Sequence, residues 1–261
     1  MLSPESPFED SIGKLLAAHA LPRPQAEVFS FIQVGCWGLE HLSTTLEMDP
    51  RPRLVGRELE SVRLLHALDA VSREGAALAV TVSGVAGSGK SRLIEETLTI
   101  AAVGGFEGRV FSVAARAGDA DNATIARLLT ARFGLERVRP HLRRDHLLRK
   151  VSELFADERV DDVCYFLGAL VGLELPSTPF TRMLTQHDFQ AEIAQQSILC
   201  ELFATDAAQA PLCVVVEDLH HVDAASLGKL MAIADDLRGS MLLVCSARPE
   251  FFSRHEHFAQ M

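Results

Sequence analysis

The eight residues Gly84-Val85-Ala86-Gly87-Ser88-Gly89-Lys90-Ser91 fit the pattern G-x-x-x-x-G-K-[ST] at every position. Each residue type has a part in holding a triphosphate. Glycines let the backbone curl until successive N–H groups point into one concavity, a nest for anions. A helix opening at Lys90 adds its unpaired N–H groups and the positive end of its dipole at the same place. Lys90 is then within reach of the β and γ phosphates, and the Ser91 hydroxyl is placed for magnesium. With Arg92, which follows, these residues form the expected ATP and Mg site.

A second constellation lies far along the chain. The aliphatic run Cys213-Val214-Val215-Val216 leads into Glu217-Asp218. A carboxylate at such a strand's tip holds magnesium, and its neighbour orients the attacking water. The plainer alternative is an acidic turn after a strand; the intact phosphate loop upstream tips the balance toward chemistry. Past a further apolar run comes Ser246-Ala247-Arg248-Pro249. Ligands of parallel sheets sit beyond the carboxyl ends of the strands. Arg248 is thus expected near the γ-phosphate, where a guanidinium can register a terminal phosphate; a surface arginine in a loop is the alternative.

These residues need a scaffold, and the patterning supplies one. Leu78-Ala79-Val80-Thr81-Val82-Ser83 reads as a strand buried on both faces just before the loop. Val110–Ala114, Leu212–Val216 and Leu242–Cys245 read as three more. Helices are expected from Glu58 to about Ser72, from Ser91 to about Ala102 and near Ala225 to Leu237, with helical patterns alone over about residues 122–208. Strands alternating with helices predict an α/β fold, a parallel sheet flanked by helices.

Residues 1 to about 50 read as an N-terminal helical extension. Val28, Ile32, Gly35, Leu39 and Leu42 recur at steps of 4, 3, 4 and 3, one face of an amphipathic helix. That face is expected to pack on the protein's own core, a coiled-coil seam being the alternative. Prolines 50 and 52 then mark a boundary, and residues 51–261 form the nucleotide-binding domain.

Composition narrows the remaining classes. The chain has 261 residues, 48% hydrophobic and 23% charged, enough for a sizeable core. Twenty-five Lys and Arg against 35 Asp and Glu give a net charge of −10, whose field repels nucleic acid and anionic membrane. Five cysteines without metal-ligand spacing fit a reducing compartment. The acidic start MLSPESPFED has no signal-peptide core, and no uncharged apolar run approaches a membrane span. A cytoplasmic location is expected.

Val55-Gly56-Arg57-Glu58, SGVAGSGKSRLIEE, VVVEDLHHVDAASL and LLVCSARPEF occur in an order that resembles the AAA-type ATPase modules of signal-transduction (STAND) NTPases. Such modules occur in bacterial regulators fused to Ser/Thr kinases, adenylate cyclases or LuxR-type proteins. The resemblance covers about residues 54–252. It implies a P-loop NTPase sheet of the ASCE type, in which the acid-bearing strand is not the neighbour of the P-loop strand. It implies that Val55, Gly56 and Arg57 approach adenine and ribose, that Glu217 serves magnesium, that Asp218 orients water and that Arg248 is the sensor.

Three departures qualify it. Glu217 stands where these strands usually carry Asp. His221 stands where Trp is frequent, and with His220 it invites a metal reading, although adjacent histidines after a strand serve more often in a loop or in packing. The fifth strand and helical lid of the family are not found after the sensor strand. Without a fifth strand the P-loop strand would form a sheet edge, covered by the N-terminal helices or a partner, or exposed in a fragment.

The arginine-rich stretch Arg132, Arg137, Arg139, Arg143, Arg144, Arg149 and Lys150 is read as a solvated helix face paired with acids, rather than a phosphate-binding surface or an arginine finger. The chain is thus expected to be a switch with slow or conditional ATP hydrolysis. Its expected partner is another protein, or a fused or self-associating regulatory domain. Alternatives are a non-hydrolysing nucleotide-binding adaptor, a DNA-binding ATPase of the replication-initiator type, and a small-molecule kinase. The absence of N-K-x-D and LSGGQ counts against a GTPase and an ABC-type ATPase.

Overall fold

Aliphatic runs without charge form strands here because both of their faces are covered. Every residue of β3 (Leu212–Glu217) and β4 (Met241–Ala247) is buried. In β1 (Ala77–Ser83) the last four are buried, and in β2 (Arg109–Ala114) only Val113 is. The computed structural model describes residues 56–186 and 188–255. The predicted N-terminal helical stripe from Val28 to Leu42, the proline boundary, Cys36 and Val55 lie outside the described residues.

The strands form one sheet in the order β1-β4-β3-β2. β4 runs parallel to β1, with Ala77 opposite Met241 and Ser83 opposite Ala247. It also runs parallel to β3, with Leu212 opposite Met241 and Val216 opposite Cys245. The acid-bearing strand β3 is therefore separated from the P-loop strand β1 by β4, and β1 ends the order among the described residues. This is the α/β sheet of a P-loop NTPase.

The chain divides into two compact units. The first takes in residues up to Ser112, Ala210–His220 and the chain from Ser240 onward. Its helix α1 (Glu58–Glu74) stops at Gly75, whose φ of 67° only glycine adopts without strain. Leu64, Leu68 and Val71 of α1 join Leu93 and Leu98 of α2 (Lys90–Val103) and Val80, Val215 and Val244 of the sheet in one apolar cluster. Gly108 immediately precedes β2, where a Cβ would come within 2.8 Å of the Pro211 carbonyl oxygen and 2.1 Å of the Phe106 ring.

The second unit comprises Val113–Gln209 and His221–Gly239. It holds α3 (Ala123–Phe133), α4 (Arg143–Ser152), α5 (Asp157–Leu170), α6 (Pro179–Leu184), α7 (Asp188–Gln209) and α8 (Ala224–Asp235). Its core includes Ile125, Leu129, Leu147, Phe166 and Phe203, each at most 1% exposed. Two charged side chains are buried with them: Asp206 pairs with Arg132, and the Lys229 ammonium donates to Glu192 at 2.6 Å. Arg149 and Lys150 pair with Glu153, and Arg143 Nε donates to the Val138 carbonyl at 3.1 Å. Arg137, Arg139 and Arg144 are exposed. Among the described residues no helix is long and apolar enough to cross a membrane.

Candidate nucleotide site

The phosphate loop begins where β1 ends. The Gly84 N–H donates to the Ala247 carbonyl at 3.1 Å, so the loop is tied to the end of β4 from its first residue. The backbone then turns back, with the Ser88 N–H donating to Val85 at 3.2 Å. Gly87 and Gly89 have φ of 73° and 80°, the left-handed region that makes glycine the residue of choice. Val85, Ala86 and Gly87 form the exposed crest, while Lys90 and Ser91 below them are buried.

α2 starts at Lys90 with Gly89 as its N-cap, no side-chain cap and no acid in its first turn. Its positive end is therefore not neutralised by its own sequence, as an anion site requires. The Lys90 ammonium donates to the carbonyls of Gly84 at 2.8 Å and Val85 at 3.1 Å, which holds the cation inside the loop. The Ser88 hydroxyl oxygen is buried without a hydrogen-bond partner. Arg92 pairs with Glu96 one turn along.

Two adjacent carboxyls at the tip of β3 have different surroundings. Glu217 is 5% exposed, and its Oε2 is buried with no hydrogen-bond partner. Burial first, and the charges of Asp218 and Glu95 second, push its carboxyl up to about 7, against the pull of Lys90. Asp218 is more open, with a side chain 32% exposed and His220 Nδ1 3.9 Å from its Oδ1. Its backbone is left-handed, φ 56°, and its N–H donates to the Ser246 hydroxyl oxygen at 3.3 Å. A buried carboxyl and a solvated one side by side can take two roles.

Arg248 follows Ala247, whose carbonyl accepts from Gly84, and it is exposed. Residues near 84, 217 and 248 thus meet at the carboxyl ends of three neighbouring parallel strands. The placement of β4 brings them together. Gly56 and Arg57 stand just before α1. The Gly56 N–H donates to Glu58 Oε1 at 3.1 Å, and the Arg57 guanidinium is held by Glu60 at 3.0 Å.

The residues fit a magnesium–nucleotide pair. Magnesium takes oxygen ligands, keeps waters, and is bound through few protein groups plus phosphates. The unpartnered Glu217 oxygen and the Ser91 hydroxyl are such groups, and Lys90 and the loop amides suit the phosphates. Among the described residues no group of three or more His, Cys, Asp and Glu could hold a metal alone, so His220 and His221 form no such centre.

Sequence reasoning missed Ser246 and Glu95. A lone hydroxyl at the end of an apolar strand was the available signal for Ser246. Glu95 carried none, because only folding brings its charge toward Glu217.

No curated protein and no solved structure gives a match. A family profile described as AAA ATPase domain matches residues 53–244. That span contains the phosphate loop, Glu217, Asp218 and most of β4, and the parallel four-stranded sheet flanked by helices is consistent with such a domain. The chain belongs to the AAA ATPase domain family.

Proposed function

We propose that this chain is a cytoplasmic regulatory switch of the STAND type, which binds ATP with magnesium and hydrolyses it slowly or conditionally. The observation that carries the reading is Glu217. Its buried oxygen has no protein partner, which is the condition of a carboxylate awaiting a cation, and it adjoins the more solvated Asp218.

In this reading Lys90 and the loop N–H groups of Val85, Ala86, Gly87 and Gly89 bind the phosphates, and Ser91 and Glu217 would hold magnesium. When bound, the cation would neutralise phosphate charge. Asp218 orients the attacking water and receives its proton. Arg248 contacts the terminal phosphate, and Arg92 stands at the loop's outer side. Val55, Gly56 and Arg57 approach the adenine and ribose, Arg57 leaving Glu60 to do so. Loss of the terminal phosphate releases Arg248, and the change is read by a protein partner or by a regulatory domain of the same assembly.

Turnover of Asp218→Asn tests it, with Mg-ATP binding followed by thermal shift. The expected result is retained binding with hydrolysis lowered about 100-fold or more, in line with removal of a general base. Lys90→Ala, which removes the shift itself, is the control. A wild type that binds but shows no turnover under any condition tried would make the chain a non-hydrolysing adaptor.

A further inference from the structure

The N-terminus of α3 has no cap of its own. Its N-cap residue Asn122 is left-handed, φ 65°, makes no side-chain cap bond, and leaves its Oδ1 buried without a partner. The donors there are accepted instead by residues about a hundred positions away. Asp223 Oδ1 accepts the Asn122 N–H at 2.8 Å, Asp223 Oδ2 accepts the Thr124 N–H at 3.5 Å, and Ser226 Oγ accepts the Ile125 N–H at 3.2 Å. Asp223 Oδ1 also accepts the Ser226 N–H at 2.7 Å, capping its own helix α8. One carboxylate therefore caps two helices. Burial works against its ionisation, and the donors of Ser226, Asn122 and Thr124 outweigh it, so the carboxyl sits below the usual aspartate range.

Asp223 is also close in sequence to the acid pair. Four residues separate it from Asp218, three of them forming the 3-10 turn Leu219–His221. At the other end of this segment the Asp218 N–H is held by Ser246 Oγ at 3.3 Å. A short segment fixed at both ends transmits displacement of one end to the other. The left-handed backbone of Asp218 is an uncommon conformation that neighbouring structure must maintain.

We propose that Asp223 is a positioning residue for Asp218, fixing the segment that carries the water-orienting carboxylate by capping α3 and α8 together. This rests on the reading of Asp218 given above.

The test compares Asp223→Ala, Asp223→Asn and Ser226→Ala in the full chain, with ATP turnover and amide hydrogen exchange recorded together well below the unfolding temperature. Asp223→Ala is expected to lower kcat about 10- to 100-fold, as small misplacements of a reacting group do, and to leave the KM for ATP within about threefold. Asparagine keeps one acceptor oxygen, which can serve the Asn122 and Ser226 N–H groups that Oδ1 serves but not the Thr124 N–H that Oδ2 accepts, so Asp223→Asn should recover part of the loss. Ser226→Ala, which removes the Ile125 acceptor and one side-chain hydrogen bond to Asp223 but leaves the carboxylate on its backbone donors, should lower kcat less than Asp223→Ala does. Asp223→Ala should also speed exchange at residues 122–125 and at 218–222. Wild-type kcat in Asp223→Ala, or equal loss in the Ala and Asn variants, would overturn the proposal. If the wild type binds ATP without turning it over, the hydrolytic reading fails separately. The exchange data then decide alone: unchanged exchange at 218–222 in Asp223→Ala overturns the proposal, and faster exchange there supports it.

Discussion

Replacing Glu217 by Gln keeps the side chain's shape and removes its titration. In the folded protein the carboxyl is raised from its ordinary 4.5 to about 7. A group whose folded value lies above its unfolded value holds its proton more tightly when folded. Its contribution to stability is therefore complete below about 4.5, declines as pH rises toward 7, and is gone above that. At 1.36 kcal/mol per pH unit the decline is on the order of 3 kcal/mol. Because Glu217 is 5% exposed, solvent screening discounts this little. For a chain of this size, at about 2–4 °C per kcal/mol, the fall in melting temperature is roughly 6–12 °C.

Glutamine has no proton to lose, so this fall should be missing from Glu217→Gln, while groups other than its charged neighbours Asp218, Glu95 and Lys90 contribute equally to both proteins. Thermal unfolding in chelator between pH 5 and 8.5 should show the variant overtaking the wild type as pH rises. Profiles parallel to within about 2 °C would refute the reasoning, because the carboxyl would then be solvated or satisfied when folded. Added Mg-ATP should reverse the order above pH 7, since a ligating carboxylate must be deprotonated and glutamine cannot neutralise the cation.

Two further predictions concern the scaffold. Arg132→Ala removes the guanidinium that pairs with the fully buried Asp206 carboxylate, which costs about 3–5 kcal/mol; urea unfolding that shows less than about 1 kcal/mol would mean the pair is solvent-screened. Gly108→Ala puts a methyl group 2.8 Å from the Pro211 carbonyl oxygen and against the Phe106 ring, so a loss of about 1–3 kcal/mol is expected. An unchanged urea midpoint would show that β2 can shift away freely.

The phosphate loop, the strands and the acid pair were legible because their signals are local. A glycine pattern between a strand and a helix identifies itself, and β3 and β4, buried along their whole length, show as apolar runs broken by polar residues only at their carboxyl ends. The order of the strands was not legible from periodicity. Parallel pairing of β4 with both β1 and β3 depends on crossovers, and only the family resemblance indicated it. Partners distant in sequence were hidden in the same way. Arg132 looked like one member of a basic helix face, but it is buried against Asp206, 74 positions away. Nothing local in the sequence marks Asp223, yet its carboxylate serves donors near Asn122.

The interposition of β4 has a mechanical consequence. Two consecutive residues at its end bond to the two halves of the site: the Ser246 side chain accepts from the Asp218 N–H, and the Ala247 backbone carbonyl accepts from the Gly84 N–H. The acid segment and the phosphate loop have different neighbours along the chain, but they share this strand end. Arg248 extends directly from it. In the proposed reading, a pull on Arg248 by a terminal phosphate would act on Ala247, which is bonded to the loop, and on Ser246, the next residue back, which is bonded to the acid segment. Had β3 lain beside β1, the arginine would have stood at the flank of the site, and its position would have been coupled to one half alone.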